Sequence, residues 1–256
     1  MILPSRLLCR LAAVTCLAIT VTSCSALKAP KAAPSAFLSH SAELTNGDHH
    51  SPFQQNWASP DLQDVLKSRP NIYIAPVTLA YLRPMSRSMS ARAFTEEQRQ
   101  EEAKKLAAYA NSRVADAFAR AGSARYKLVA QPDKNALVLE LALVELNPNS
   151  ATGGVLRTAI NAAAAPGVDS LLLKRLKANI ALEGKVSDGA TRRSVFEFSD
   201  NQENKSALIL SVNDFRSYGQ ARQAIDEWAR QIEEVLRTHP SHRVSRATSF
   251  IIFPWN

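Results

Sequence analysis

The chain has 256 residues, of which 46% are hydrophobic, and its formal net charge is +8. This length is enough for one substantial core or two small ones. All three cysteines, Cys9, Cys16 and Cys24, lie near the N-terminus, so a mature chain starting at Cys24 would contain no intramolecular disulfide and would depend on burial of apolar surface.

The first 23 residues predict a secretory signal peptide. Arg6 and Arg10 are the only charged residues before Cys24, and a nearly continuous apolar run covers residues 11–21. A positive start followed by a short apolar run and small residues is typical of such a signal. A membrane-spanning helix needs about 20 apolar residues, so an uncleaved anchor helix is the weaker interpretation.

The end of this segment, Val21-Thr22-Ser23-Cys24, resembles a bacterial lipobox, in which the chain is cut before the cysteine. The cysteine thiol then takes a diacylglycerol, and the freed amino group usually takes a further acyl chain such as palmitate. Two or three chains give a stable anchor. Ser25, in place of aspartate, resembles the outer-membrane default. We therefore expect lipidation of Cys24 and a position on the periplasmic face of the outer membrane, with ordinary secretion to the periplasm as the alternative.

Export would change both the net charge of the protein and the partners that this charge could attract. Removal of Arg6 and Arg10 takes the charge from +8 to +6, and a basic protein could contact nucleic acid, anionic lipid or cell-wall polymers. Export makes nucleic acid the least expected of these, and we predict no nucleic-acid partner. The cations are scattered, as in Lys104-Lys105 and Arg192-Arg193, which is typical of a solvated surface.

Residues 24–60 have the composition of a tether that follows the lipidated N-terminus. Ala, Pro, Ser, Asn and His dominate, and four prolines interrupt any periodicity. Such a segment would hold the domain away from the bilayer. Phe37, Leu38, Phe53 and Trp57 are exceptions to the polar character, and we expect them to dock onto the domain.

Residues 61–240 predict a single α+β domain. Period-2 and period-3.6 apolar patterns indicate strands at 71–77, 126–129, 136–146, 176–186 and 193–199, and long helices at 95–121 and 219–238. The order β-α-β-β-β-β-α predicts a mainly antiparallel sheet of about five strands, with both helices packed on one face.

Local signals support three of these elements. Thr95 and Gln98 have the spacing of a capping box at the start of the first helix. Residues 136–146 are apolar on both faces, as expected of a central strand. Ser187-Asp188-Gly189 is a hairpin signal, so Asp188 is better explained as a turn former than as an active carboxylate.

Several of these segments together resemble a known family. Phe37-Leu38-Ser39, the strand at 72–77, the helix around 114–118, the hairpin at 183–190 and the helix containing Trp228-Ala229 are similar to the bacterial lipoproteins catalogued as domain of unknown function 3313. The resemblance spans about residues 36–238. It implies an outer-membrane or periplasmic lipoprotein, and the family offers no catalytic residues to carry over.

The chain contains no recognised catalytic signature. A nucleophile elbow, an HExxH helix motif, a phosphate-cradling glycine loop and a paired CxxC are all missing from the sequence. His239 and His242 are the nearest approach to a metal pair, and His49-His50 lie in the predicted tether. Neither pair is accompanied by cysteines or an acidic cluster, so we predict exposed polar residues, no metal site, no cofactor and no enzymatic activity.

The last helix carries the remaining candidates. Its acidic residues, Asp226, Glu227, Glu233 and Glu234, are explained by a solvated face. Trp228 could stack on a ligand, but its position in the apolar stripe of the helix favours the core.

Two apolar segments stay open. The Ala-rich stretch at 155–176 carries or adjoins the cations Arg157, Lys174, Arg175 and Lys177. It fits either an amphipathic helix on lipid or on a partner, or an insert over the edge of the sheet. The tail at 241–256 fits either a partner-docking strand or packing on its own domain. The second reading is favoured in both cases.

Two functions follow as hypotheses. The first is a non-enzymatic envelope lipoprotein that binds a protein or a cell-wall partner such as peptidoglycan. The second is a carrier or sensor that holds a small or lipidic ligand between the sheet and the helices. A cavity lined by Phe196, Phe198 and Trp228 would favour the carrier, whereas a filled core with an exposed apolar edge at 250–255 would favour partner binding. An enzyme ranks third, and convergent polar side chains in a cleft would favour it.

Overall fold

The computed structural model describes residues 33–48, 50–84, 95–120, 125–147, 179–203, 219–239 and 241–245. These residues form seven strands: β1 Thr45–Asn46, β2 Gln55–Ala58, β3 Asn71–Ile74, β4 Lys127–Leu128, β5 Ala136–Asn147, β6 Asn179–Asp188 and β7 Ser194–Glu203. They also form three α-helices: α1 Leu62–Ser68, α2 Glu96–Arg120 and α3 Gly219–Arg237. A short 3-10 turn covers Ser41–Glu43.

The strands form one mixed sheet in the order β1-β2-β7-β6-β5-β3-β4. The five predicted strands correspond to β3 through β7. The expected count is too low because β1 and β2 come from the predicted tether and are too short for a periodic signal. The mainly antiparallel description also needs correction: β3 runs parallel to both β4 and β5. A long helix separates β3 from β4, and such a crossover returns the chain in the same direction.

The main core lies between the sheet and the two long helices. Strand β5 contributes Leu137, Leu139, Leu141 and Leu143, and α2 and α3 contribute their apolar stripes to the same cluster. A second, smaller cluster lies on the other face of the sheet and contains Ala142, Val144 and Ala181. Strand β5 is therefore buried on both faces, as predicted for a central strand.

The capping box at the start of α2 is present. The Thr95 backbone N–H donates to the Gln98 side-chain carbonyl at 3.0 Å, and the Gln98 backbone N–H donates to the Thr95 hydroxyl at 3.2 Å. These two bonds satisfy donors that the first turn of a helix otherwise leaves without a partner. They explain why α2 begins where the sequence predicted.

We expect Thr95→Ala to lower the free energy of unfolding by about 1 kcal/mol, because an N-cap hydroxyl contributes about that much. Urea denaturation followed by circular dichroism measures the change. Thr95→Ser retains the hydroxyl and serves as the control. Equal midpoints for the alanine variant and the unmodified protein would show that the capping box does not stabilise this helix.

The N-terminal part of the described chain belongs to the domain, which corrects the boundary predicted at residue 60. Strand β2 pairs with β7 through four residues, and Phe53 is completely buried. Phe37, Leu38 and Phe53 dock as predicted. Composition alone predicted a tether here because prolines and polar residues dominate. The short docking segments between them contact partners that are distant in the sequence.

The hairpin between β6 and β7 is longer than the predicted Ser187-Asp188-Gly189 turn. Its left-handed residue is Arg192, with φ 60°, and the Arg192 N–H donates to the Asp188 carbonyl at 2.7 Å. Gly189 is needed for a different reason: an added Cβ would overlap the backbone carbonyls of Asp133 and Ala136. The glycine therefore allows the hairpin to pack against the loop before β5.

Candidate functional site

Two glutamates lie side by side on the sheet and are completely buried. Glu183 lies on β6 and Glu197 on β7, and each is 0% exposed. The strand register places Glu183 opposite Ser199 and Glu197 opposite Lys185, so the two carboxylates are diagonal neighbours. They share a sheet face with Ala142. This face, opposite the long helices, is called the strap face below.

Glu183 holds the chain at Ser35. One carboxylate oxygen accepts the Ser35 backbone N–H at 2.8 Å, and the other accepts the Ser35 hydroxyl at 2.5 Å. Burial raises the pKa of the Glu183 carboxyl above its usual value, and the two bonds from Ser35 partly oppose this shift. The Glu183 side chain therefore accepts hydrogen bonds from a segment that lies 148 positions earlier in the sequence.

Glu197 binds the same N-terminal segment a few residues later, at Ser39 and His40. Its two oxygens accept the backbone N–H groups of Ser39 and His40 at 3.3 and 2.9 Å. The His40 ring nitrogen Nδ1 is also 3.0 Å from the carboxylate. The same ring stacks on Trp57 of β2, with 3.6 Å between the centroids and 5° between the planes. Strand β2 therefore also contacts the residue that Glu197 binds.

The segment held in this way, residues 33–44, is called the N-terminal strap. Phe37 and Leu38 are its buried apolar residues and belong to the cluster of Ala142 and Ala181. The Lys185 ammonium lies 5.0 Å from the centre of the Phe37 ring, and the Arg83 guanidinium donates to the Ala33 carbonyl. At the far end, Trp57 donates to the Glu43 carboxylate at 3.0 Å.

Sequence reasoning missed this site. Nothing in the strand patterns of the sequence singles out Glu183 or Glu197 as site residues. Both glutamates lie in strands in which polar and apolar residues alternate. The same alternation is typical of a strand whose polar face is exposed to solvent. A local signal could not separate the two cases, because the strap that covers the carboxylates comes from the other end of the chain.

Asp188 lies in the predicted turn and also has a partner outside it. It accepts the Ala190 N–H at 3.1 Å and the Thr191 hydroxyl at 3.0 Å. In addition, Arg69 after helix α1 donates to both carboxylate oxygens at 2.6 and 3.1 Å. The hydrogen bonds from Arg69 lower the pKa of Asp188 to about 2. The residue is thus a turn former and one half of a partly buried ion pair.

The aromatic residues proposed to line a ligand cavity are packed together. Trp228 is 1% exposed and Phe198 is 0% exposed. The Phe198 ring stacks on Phe53 with 3.9 Å between centroids, and Phe196 lies 6.0 Å from Phe198. The Trp228 indole N–H donates to the Asp200 carboxylate at 2.6 Å. Phe53, which was assigned to the tether, occupies the place that a ligand would need.

The acidic residues of α3 are less solvated than predicted. The side chains of Glu233 and Glu234 are 10% and 19% exposed, because they pair with Arg237 and Arg230 respectively. Asp226 is 41% exposed and pairs with Arg113 of α2. Asp226 and Glu233 border a groove of about 280 Å³ between the two long helices, which is lined by Arg113, Asp116, Ala117, Arg120, Asp226, Ala229, Arg230 and Glu233. Each charged group in it already has an ion-pair partner of opposite sign.

The remaining predictions concern the histidine pairs, a metal site, a membrane-spanning helix, Cys24 and the two open apolar segments. His239 contacts Ser241, and His242 contacts Glu234. Within the described ranges, no three His, Cys, Asp or Glu side chains converge as a metal site would require. The described helices include none long and apolar enough to cross a membrane. Cys24, His49, residues 150–175 and the tail after residue 245 lie outside the described part of the chain.

Comparison with known proteins gives one family and several distant structures. The family model "Protein of unknown function (DUF3313)" matches residues 33–232, close to the predicted 36–238. No curated protein matches the chain. The solved structures include a PelC dodecamer from Paraburkholderia phytofirmans, at 10% identity and a TM-score of 0.36, covering 70% of this chain and 94% of that one.

Two further solved structures come from other bacteria. A DUF330 protein from Xanthomonas campestris has 13% identity and a TM-score of 0.32, covering 64% of this chain and 83% of that one. A candidate lipoprotein from Caulobacter crescentus has 12% identity and a TM-score of 0.27, covering 68% and 91% respectively. Likeness at this level carries no argument about function.

Proposed function

Because the chain belongs to the DUF3313 family of proteins of unknown function, we propose, from its own residues, that it is an exported lipoprotein of the bacterial envelope. Its signal peptide is removed before Cys24, and acyl chains on that cysteine hold the domain at the periplasmic face of the outer membrane. The domain binds a protein or cell-wall partner and carries out no chemistry of its own.

The position of the N-terminal strap supports this proposal most directly. The first carboxylate-held residue, Ser35, lies eleven residues after Cys24. Cleavage at Cys24 would therefore remove none of the described domain. Eleven extended residues span at most about 40 Å, so the same geometry keeps the folded domain close to a lipid anchor.

The packing favours partner binding over the carrier alternative. Phe53, Phe198 and Trp228 fill the region between sheet and helices that a carrier would need to leave open. The charged groups around the groove between α2 and α3 neutralise one another, which gives little reason to expect a small charged ligand there. A partner would instead meet the outer surface of the domain.

Acyl labelling tests the anchor. In a Gram-negative host fed a palmitate analogue, we expect the unmodified protein to be labelled and Cys24→Ala to be unlabelled and to accumulate as the unprocessed precursor. Cys16→Ala, within the signal segment, is the matched control and should retain the label. Normal processing of Cys24→Ala would mean ordinary secretion and would refute the lipoprotein proposal.

Crosslinking in intact cells tests partner binding. We expect a defined protein or a peptidoglycan fragment to be captured by the lipidated protein, and the same species to be lost when the anchor is removed by Cys24→Ala. Recovery of a stoichiometric, noncovalently bound lipid from the purified domain, with no crosslinked macromolecule, would favour the carrier instead.

A further inference from the structure

The N-terminal strap lies on a face of the sheet that is separate from the main core. Its apolar residues, Phe37 and Leu38, belong to the small cluster with Ala142, Val144 and Ala181. The main cluster lies on the other face and includes both long helices. Since the sheet separates the two clusters, removal of the strap would open the small one and leave the main one closed. Regions of this kind can open at a lower free energy than global unfolding.

The polar contacts beneath the strap are costly to maintain. Glu183 and Glu197 are both 0% exposed, and neither forms an ion pair with a lysine or arginine among the described residues; only His40 lies beside Glu197. Burial of a carboxylate carries a large desolvation cost, and this cost raises the pKa of Glu183 even though the Ser35 hydrogen bonds and the charge of Arg83 act in the opposite direction. Release of the strap would return both carboxylates to water, which offsets part of the lost hydrogen bonding.

The strap also determines where the chain, followed from Cys24, first becomes attached to the folded domain. With the strap docked, that residue is near Ser35. If residues 33–44 detach, the next fixed position is Thr45, whose hydroxyl donates to the Asn56 carbonyl within the β1–β2 pair. Thr45 lies 21 residues after Cys24, so the greatest extended reach rises from about 40 to about 75 Å.

We propose that residues 33–44 form a releasable strap, fastened by Glu183 and Glu197, that sets how far the domain can extend from a lipid anchor at Cys24. The proposal rests on the proposed lipidation. The docked state keeps the domain near the membrane, and the released state nearly doubles its reach, so that it could contact a more distant partner without any change in its main core.

Hydrogen exchange on the full mature protein tests the release itself. We expect the strap amides, such as those of Ser39 and His40, to exchange at least roughly 100-fold faster than the amides in the middle of β6, because strap opening is local. In Glu183→Ala/Glu197→Ala the strap should exchange at least roughly tenfold faster again, since several charge-assisted bonds are lost. Strap and β6 amides that exchange at the same rate in the unmodified protein would overturn the proposal.

A matched variant separates release from general loss of charge. Glu101→Ala removes a carboxylate on α2 that pairs with Lys104 on the exposed surface of that helix, on the side of the sheet opposite the strap. Its strap exchange should equal that of the unmodified protein. If the double variant fails to fold, the comparison of strap and β6 in the unmodified protein still decides the question.

A distance measurement tests the consequence for reach. Cys24 would be blocked by lipid, so Lys134→Cys on an exposed turn provides a single labelling site for fluorescence transfer to dyed lipid in vesicles. We expect the double variant to show a longer mean distance than the unmodified protein. Absence of acyl label on Cys24 would refute the proposed function, whereas normal labelling with fast strap exchange and an unchanged distance would refute this inference alone.

Discussion

Asp188→Asn should lower the free energy of unfolding by about 3 kcal/mol, because loss of one partner leaves a largely buried charge unpaired. The Asp188 side chain is 4% exposed and accepts two hydrogen bonds from Arg69, whose side chain is 20% exposed. This pair joins the end of helix α1 to the β6–β7 hairpin. Chemical denaturation at neutral pH measures the loss.

The pH dependence of the same variant gives an independent check. The folded pKa of Asp188 is about 2, below the ordinary value of 3.8 for this side chain, so its charge stabilises the fold fully above the unfolded pKa. This contribution should disappear as the pH falls from about 4 to about 2, and amounts to about 2 kcal/mol. The difference between the unmodified protein and Asp188→Asn should therefore shrink by that amount over this range.

Asp116→Asn is the matched control for Asp188→Asn. Asp116 pairs with Arg120 on the surface of α2, with side chains 43% and 69% exposed, and exposed pairs contribute less than about 1 kcal/mol. Comparable losses from both variants, or a difference for Asp188→Asn that does not vary between pH 5 and pH 2, would show that the Arg69 pair is not the cause.

Gly184→Ala should destabilise the domain by about 2 kcal/mol or more, because overpacking a filled core costs about 1–3 kcal/mol. Gly184 on β6 lies opposite Phe198 on β7, and an added Cβ would overlap the Phe198 ring. That ring cannot easily move away, since it is completely buried and stacked on Phe53 at 3.9 Å. Thermal and urea denaturation measure the effect.

A double-mutant cycle tests this explanation. Phe198→Leu removes the part of the ring that the new methyl would overlap, so Gly184→Ala should cost at least about 1 kcal/mol less in that background, as expected for residues in contact. Purely additive losses would place the cost in the backbone of β6 and not in the contact with Phe198.

The sequence alone determined the features that depend on local order. Leucine at every second position fixed β5 as a strand, and its apolar second face marked it as central. Thr95 and Gln98 located the start of α2 to the residue. The lipobox-like stretch ending at Cys24 is also a local pattern, since a processing enzyme would read adjacent residues, and lipidation of Cys24 stays a prediction. The family could be recognised because these local patterns recur along most of the chain.

Only the tertiary structure decided the features that depend on distant contacts. The parallel pairing of β3, the docking of the N-terminal strap on Glu183 and Glu197, and the filling of the proposed cavity by Phe53 each join segments far apart in the sequence. A glutamate that will be buried and one that will face water occupy the same place in an alternating strand. The difference between them is made by whatever covers that face, and here the cover is a segment 148 positions earlier in the chain.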